Sequence, residues 1–174
     1  FRQPAITFLH DRFATANRFY GGVLGARANA QYQAFTLSVT GKIGLGTVHE
    51  EVRIDGSSTL VGPYPAPQVT GGGFYSVGAN AGKFERDKFA VVPELGVNLS
   101  VQLTTCLTCT LGYNYIYINE VLRPGDQLNA RINSTLIPTG QNYGARFGPP
   151  SPGLPFNGSN YWAQGFNVGF AIGY

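Results

Sequence analysis

The sequence has few charged residues, and this scarcity excludes several kinds of protein. Asp, Glu, Lys and Arg make up only 12% of the 174 residues, about half the usual share in a soluble globular domain. The Lys and Arg residues are scattered along the chain rather than clustered, which argues against nucleic acid as a partner. Mean hydropathy is −0.04, so apolar residues must be interspersed with small polar ones.

Long apolar runs and familiar catalytic motifs are also missing. No stretch approaches the ~20 apolar residues of a membrane-spanning helix. Methionine is absent, and the start FRQPAITFLHD lacks the layout of a signal peptide, so we expect a mature chain or a fragment. GxSxG and HExxH do not occur. We therefore expect no enzyme activity, no cofactor and no metal site.

An alternation of apolar and small polar residues dominates what is present. Residues 89–103 read FAVVPELGVNLSVQL, and every odd position carries a large apolar residue or proline. Residues 34–48 repeat the pattern, and residues 20–32 and 107–117 follow it more weakly. A period of two predicts β-strands, and runs this long exceed the usual strand of a soluble domain.

The opposite face of these strands decides the fold class. It carries mostly Gly, Ser, Thr, Asn and Gln, with isolated charges at Arg27, Lys42 and Glu94. Bulk water would favour many Lys, Glu, Asp and Arg there, whereas small polar residues suit a confined, hydrated interior. Apolar residues outside and polar residues inside predict an all-β fold, an antiparallel up-and-down transmembrane β-barrel (a meander).

The connections between the strands are of two kinds. We predict one β-barrel domain over residues 1–174, with strands at about 19–32, 34–53, 87–103, 107–121 and 161–174. Two connections are tight turns, and the other two are long and rich in Gly and Pro. Outer-membrane barrels have short periplasmic turns and long extracellular loops, so we expect the C-terminus on the periplasmic side.

Several runs together resemble the planctomycete-type BBP family of outer-membrane β-barrel proteins. They are DRFATANRFYGGVLGARANAQ, GKIGLGTVHEEVRIDG, RDKFAVVPELGVNLSVQLT, LGYNYIYINEVLRPGDQLN and YWAQGFNVGF, in the family's order. The resemblance extends from about Asp11 to Tyr174. It implies a barrel in the bacterial outer membrane, part of the cell envelope, and gives no substrate.

The last strand also resembles the C-terminal targeting signal of outer-membrane proteins. Such signals end on an aromatic residue and have apolar residues at alternate positions before it. The matching residues are Phe166, Val168, Phe170, Ile172 and Tyr174. This resemblance implies two partners, the outer-membrane lipid and the barrel-assembly machinery.

Five predicted strands cannot close a barrel, since single-chain bacterial barrels have an even number of at least about eight. An open edge in lipid would leave backbone groups unpaired. Three solutions remain: missing N-terminal strands in a longer polypeptide, a homo-oligomer in which several chains complete one barrel, or a sheet outside the membrane. We favour the first.

Two groups of residues are candidate sites. Arg27, Lys42 and Glu94 share the inner face and are expected to form a charged cluster in the lumen. It serves either as a structural ion-pair network or as a constriction that tunes permeation. Cys106 and Cys109, in TCLTCT at a predicted turn, are expected to form a disulfide in an oxidising compartment.

The remaining charges are expected to have ordinary surface roles. The pair Glu50 and Glu51 lies at a predicted strand end, where we expect both to be solvated. The adjacent pairs Asp11-Arg12 and Asp87-Lys88 are expected to be ion pairs at the bases of loops.

Three functions are compatible with this pattern. The first is an integral outer-membrane barrel with a structural or passive-permeation, porin-like role. The second is a subunit of an extracellular surface layer, tube or fibre that buries its apolar face against copies of itself. The third is a soluble carbohydrate-binding module whose stacking aromatics would be Tyr143, Phe147, Phe156 and Trp162.

Overall fold

The computed structural model describes residues 5–62, 66–145 and 147–173. They form one sheet, in which β1, β2, β4, β5 and β6 follow one another in space as they do in the chain, and β3 pairs with β2. The strands are β1 (Ile6–Tyr32), β2 (Phe35–Val61), β3 (Gln68–Gly71), β4 (Gly82–Gln102), β5 (Leu107–Leu122) and β6 (Gly158–Ile172). The predicted all-β antiparallel meander is confirmed. Among the described residues β1 and β6 are unclosed edges.

The strands are longer than their alternation predicted, and the additional residues lie on the side of the long loops. β1 begins at Ile6 rather than near residue 19, and β2 continues to Val61 rather than 53. Within the described ranges, helix is limited to short 3₁₀ turns at Pro124–Gln127 and Ser134–Leu136. No helix in the described part of the chain is long and apolar enough to cross a bilayer.

The two short turns lie where the sequence predicted them. Gln33, with a φ of 51°, begins the turn between β1 and β2. Between β4 and β5, the backbone N–H groups of Leu103 and Thr104 donate to the carbonyl of Leu107 at 2.8 and 3.2 Å. Gly173 N–H donates to the carbonyl of Cys106 at 2.8 Å, so the end of β6 lies beside this second turn.

The register of β4 against β5 shows which residues share a face. Leu95 lies opposite Tyr115, and Leu99 lies opposite Leu111. Directly opposed residues in an antiparallel pair point to the same side of the sheet. Between and after these apolar rungs, Gly96 pairs with Asn114, Asn98 with Gly112 and Ser100 with Thr110. Apolar rungs therefore alternate with small polar rungs, as the sequence predicted.

The chain divides into two compact units. Unit 1 comprises Phe1–Asn17, Glu50–Arg86 and Leu122–Gly158, and therefore contains the two long connections. Unit 2 comprises Arg18–His49, Asp87–Val121 and Ser159–Tyr174, and contains the two short turns.

Unit 1 has a hydrophobic core. Val52 and Ile54 of β2 and Leu122 of β5 are fully buried. The partly buried side chains that pack against them are Phe13, Leu154 and Phe156. The core therefore combines strand residues with the loop that leads into β6.

In unit 2, the backbones of β1 and β2 lie close together at a pair of glycines. A Cβ added to Gly21 would overlap the backbone of Leu45 and Gly46, and one added to Gly46 would overlap the backbone of Tyr20 and Gly21. Both obstacles are main chain, which cannot rotate away as a side chain does. The ring of Phe19 contacts the same place from the inner side.

Candidate functional site

The strand segments of unit 2 expose their apolar face. Leu45 is 50% exposed and Leu95 is 42% exposed, and Leu99 is also exposed, whereas Val97 between them is half-buried. Further exposed large residues on these segments are Tyr20, Leu24, Leu37, Ile43, Phe89 and Leu111. A folded surface in water would not usually present so continuous a series of apolar side chains.

The opposite face of unit 2 is polar and less exposed. Ser38 is only 9% exposed, Gly44 and Gly112 are buried, and Asn98 and Ser100 are half-buried. On β2 and β4 the sheet therefore shields its small polar residues more than its large apolar ones, which is the reverse of the arrangement in a soluble strand.

The final strand continues this pattern. Phe166 is 84% exposed, and Val168, Phe170 and Ile172 are each more than 60% exposed. Tyr174, the last residue of the predicted targeting signal, lies outside the described residues. A contact between the rings of Phe166 and Tyr113, whose centroids are 5.1 Å apart, places Phe166 on the same face as the apolar rungs of β5.

The structure brings together two of the three charges predicted for the inner face. Lys42 Nζ lies 3.1 Å from Glu94 Oε2, and both side chains are partly exposed. Arg27 is exposed on β1, and it has no ion-pair partner among the residues that the structure describes. The predicted cluster is therefore a Lys42–Glu94 pair with a separate cation.

A group of amides lies beside this pair, and the sequence reasoning did not single it out. Asn114 Nδ2 donates to Asn167 Oδ1 at 3.1 Å. Gly112 leaves the space that the amides of Asn98 and Asn167 occupy, because a Cβ there would overlap both side-chain oxygens. All three Asn residues fall at polar positions of the alternation, and this was the signal that could have identified them.

The ion pair and the amides of Asn98 and Asn114 border a cleft of about 500 Å³ on the inner face of unit 2. Thr40, Lys42, Glu94, Asn98 and Asn114 contribute its polar lining. The ion pair has no net charge, and the amides offer both donors and acceptors. The cleft can therefore form hydrogen bonds with polar solutes of either charge or none.

In unit 1 the outward face of the strands is charged, whereas in unit 2 it is apolar. The exposed face of unit 1 carries ion pairs: Arg53 with Asp55 at 3.3 Å, and Lys83 with Glu85 at 2.6 Å and with Glu51 at 3.4 Å. The carboxylates of Glu85 and Glu51 raise the pKa of Lys83 above its ordinary value of 10.5. Water is the natural solvent for such a face.

A sequence model of the family described as "Putative beta barrel porin-7 (BBP7)" matches residues 2–174. The chain belongs to the BBP7 family. No curated protein and no solved structure matches it.

One buried carboxylate of this BBP7 chain corrects a prediction. Glu50 is fully buried rather than solvated, and its Oε2 accepts a hydrogen bond from Arg86 Nε. The guanidinium of Arg86 lies 4.7 Å from the ring centroid of Phe156. Glu50 is buried because it lies on the inner side of β2 between Val48 and Val52, whereas Glu51 faces outward and pairs with Lys83.

Two further predictions concerning acidic residues are wrong. Asp11 does not pair with Arg12; its carboxylate accepts hydrogen bonds from Phe74, Tyr75 and Ser76 N–H at 2.8–3.1 Å and from the Ser76 hydroxyl at 2.6 Å. Burial alone raises the pKa of Asp11, but these bonds outweigh it and hold the pKa below its ordinary value of 3.8.

Asp87 does not pair with Lys88 either. Its carboxylate accepts a hydrogen bond from His49 Nδ1 at 2.8 Å. Neighbours in a strand point to opposite faces, which explains why adjacent charges such as 87 and 88 do not meet.

The two cysteines of the BBP7 chain are free in the structure, so the expected disulfide is not formed there. Cys109 lies in β5 opposite Val101. Cys106 lies in the turn, where its Sγ is 3.5 Å from the hydroxyl oxygen of Thr104. In the described part of the chain no group of His, Cys, Asp and Glu is arranged to hold a metal ion.

Proposed function

We propose that this protein is an integral outer-membrane β-barrel protein with a porin-like role in passive permeation. The strand segments of unit 2 cross the bilayer, and their polar face lines the passage. The observation that supports this most is the exposure of the apolar face together with the partial shielding of the polar face. The porin name of the family agrees with it.

The dimensions of the apolar face agree with a bilayer. On β2 the outward residues are apolar from Phe35 to Leu45 and become polar or charged from Thr47 onward. A tilted transmembrane strand needs about 9–11 residues, which is close to the length of this apolar segment. Tyr32, Phe35, Phe89 and Trp162 are exposed aromatics near the ends of such segments, and aromatic residues favour the membrane interfaces.

The open edges of β1 and β6 need partners in lipid, because each unpaired backbone group there costs several kcal/mol. We propose that further strands, from the same polypeptide or from other copies of it, close the barrel. The barrel-assembly machinery would recognise the exposed apolar residues of β6, and no nucleic acid or cofactor takes part.

Extraction of the protein from cell envelopes tests this proposal. We expect it in the outer-membrane fraction, insoluble in high salt and alkaline carbonate and soluble only in detergent. Release without detergent would contradict a membrane barrel and would favour the surface-layer alternative. The carbohydrate-module alternative is already weakened, since Phe156 packs inside unit 1 rather than on its surface.

A further inference from the structure

The interior of unit 1 contains a piece of loop. Leu154 and Phe156, from the connection between β5 and β6, pack against inward-facing residues of the strands. Those strand residues are Val52 and Ile54 of β2 and Leu122 of β5, against which Phe13 of β1 also packs. Pro152 of the same connection is also fully buried. A loop that only covered the surface would not fill the space that the strands enclose.

A buried ion pair holds the loop from the side of β4. Arg86 donates to the fully buried Glu50 and places its guanidinium over the ring of Phe156. A cation over an aromatic face is attracted by it, and more strongly when water is excluded. β4 therefore contacts the loop in addition to β2 and β5.

Hydrogen bonds fasten both ends of this loop segment. At one end Asn133 N–H donates to the carbonyl of Ser151 at 3.1 Å, and its side-chain amide donates to the carbonyl of Pro149 at 2.8 Å. At the other end the amide of Gln127, which is fully buried, binds both backbone groups of Asn157, at 2.7 and 3.2 Å.

The strands also bind one another across the interior of unit 1. Asn17 of β1 uses its side-chain amide to bind both the N–H and the carbonyl of Leu122 in β5, at 2.8 and 3.0 Å. The hydroxyl of Thr15 donates to the same carbonyl at 3.1 Å. β1 and β5 are not neighbours in the sheet, so these bonds join two strands that the sheet itself does not pair.

The backbone of Phe156 shows that its position is imposed by packing. Its φ is 51°, a conformation that aromatic residues rarely adopt and that persists only when surrounding contacts enforce it. Here the enforcing contacts are the apolar core on one side and Arg86 on the other.

We propose that residues 151–157, the plug segment, close the interior of the barrel at its loop side and set its permeability. Leu154 and Phe156 are the residues that determine which solutes pass. The inference rests on the proposed membrane-barrel function. We expect the plug segment to make the wild-type protein a restricted pore that excludes solutes of trisaccharide size.

Conductance of the full chain in planar bilayers with KCl tests the plug. The first variant is Leu154→Ala with Phe156→Ala, and the second replaces residues 151–156 by Gly and Ser of equal length. The matched control is Tyr143→Ala with Phe147→Ala, because these aromatics of the same connection are 57% and 60% exposed. Flotation with liposomes first establishes that each protein inserts.

The plug predicts severalfold higher conductance for both plug variants and no change for the control. Equal conductance of the wild type and the plug variants, with all proteins floating, would overturn the plug but leave the barrel intact. Failure of the wild type to float would instead refute the membrane function. If only the plug variants fail to insert, liposome swelling with a trisaccharide is measured for the wild-type protein. Entry of the trisaccharide would overturn the plug, and its exclusion would support the plug.

Discussion

Unit 1 and unit 2 use the two faces of the same strands in opposite ways. On β2, Ile54 in unit 1 is buried while Ile43 in unit 2 is 42% exposed. Conversely, unit 1 exposes Arg53 and unit 2 buries Ser38. The period of a strand fixes which residues share a face. The solvent on each side decides which face is apolar, and the contrast is the one that the proposed membrane location predicts, with water around unit 1 and hydrocarbon around unit 2.

The change of polarity occurs at corresponding places on neighbouring strands. On β2 the outward residues change from Leu45 to His49 and Glu51, and on β4 they change from Phe89 to Asp87. His49 and Asp87 are paired, so the two changes lie at the same level of the sheet. This level is where we expect the hydrocarbon to end.

The largest expected effect is in the interior of unit 1. Arg86→Met leaves the carboxylate of Glu50 buried without its cation, and we expect a loss of about 3–5 kcal/mol in the free energy of unfolding. The control is Arg53→Met, since Arg53 pairs with Asp55 at the surface and such pairs contribute only about 0–1 kcal/mol. Urea unfolding in detergent measures both, and equal effects would contradict the buried pair.

Two isoleucines of β2 provide the most direct test of the contrast. Ile54→Ala removes a side chain from the core of unit 1 and should cost about 2–5 kcal/mol. Ile43→Ala shortens a side chain that faces detergent or lipid and should cost less than about 1 kcal/mol. Thermal unfolding followed by circular dichroism measures the difference. If Ile43→Ala is as destabilising as Ile54→Ala, the outward face of unit 2 is packed against protein.

The carboxylate of Asp11 gives unit 1 a pH dependence. Its pKa is lowered in the folded protein, so its stabilisation is present above the ordinary pKa of 3.8 and is lost as the pH falls through the lower folded value. Asp11→Asn should cost about 1–3 kcal/mol at neutral pH and should flatten the acid limb of the stability profile. Proteolysis near residues 73–76 as the pH is lowered would report release of this loop. An unchanged acid limb in the variant would contradict the assignment.

The smallest effect on stability, and the one most specific to unit 2, concerns the inner ion pair. Lys42→Gln should change the free energy of unfolding by only about 0–1 kcal/mol, because the pair is partly exposed. It should shift the ion selectivity towards cations, and Glu94→Gln should shift it towards anions. Reversal potentials in a KCl gradient measure this, with Ser38→Ala as the control. Identical potentials in all variants would show that the pair does not line the passage.

The sequence predicted unit 2 far better than unit 1, and the residues show why. In residues 34–48 and 89–103 one face is consistently apolar, so the alternation revealed both the strands and their orientation. Beyond Thr47 the period of two continues but the polarity reverses, as Val48, Val52 and Ile54 take the side that Ser38 had. When the apolar residues move to the other face within a strand, the sequence pattern resembles the end of that strand.

Contacts between residues that are far apart in the sequence could not be predicted either. The bonds from Asp11 to residues 74–76 and from Asn17 to Leu122 join residues that are more than 60 positions apart. Nothing in their local sequence specifies such pairs, and the same holds for Glu50 with Arg86. The amides of unit 2 were within reach of prediction, because their positions in the alternation already placed them on one side.

The contact between Gly21 and Gly46 has a genetic consequence. Each residue is confined by the main chain of the opposite strand, and hydrogen is already the smallest substituent that an amino acid can carry. A harmful replacement at either position thus has no second-site suppressor at the other. A saturation library should return glycine at both, with reversion as the only route to recovery.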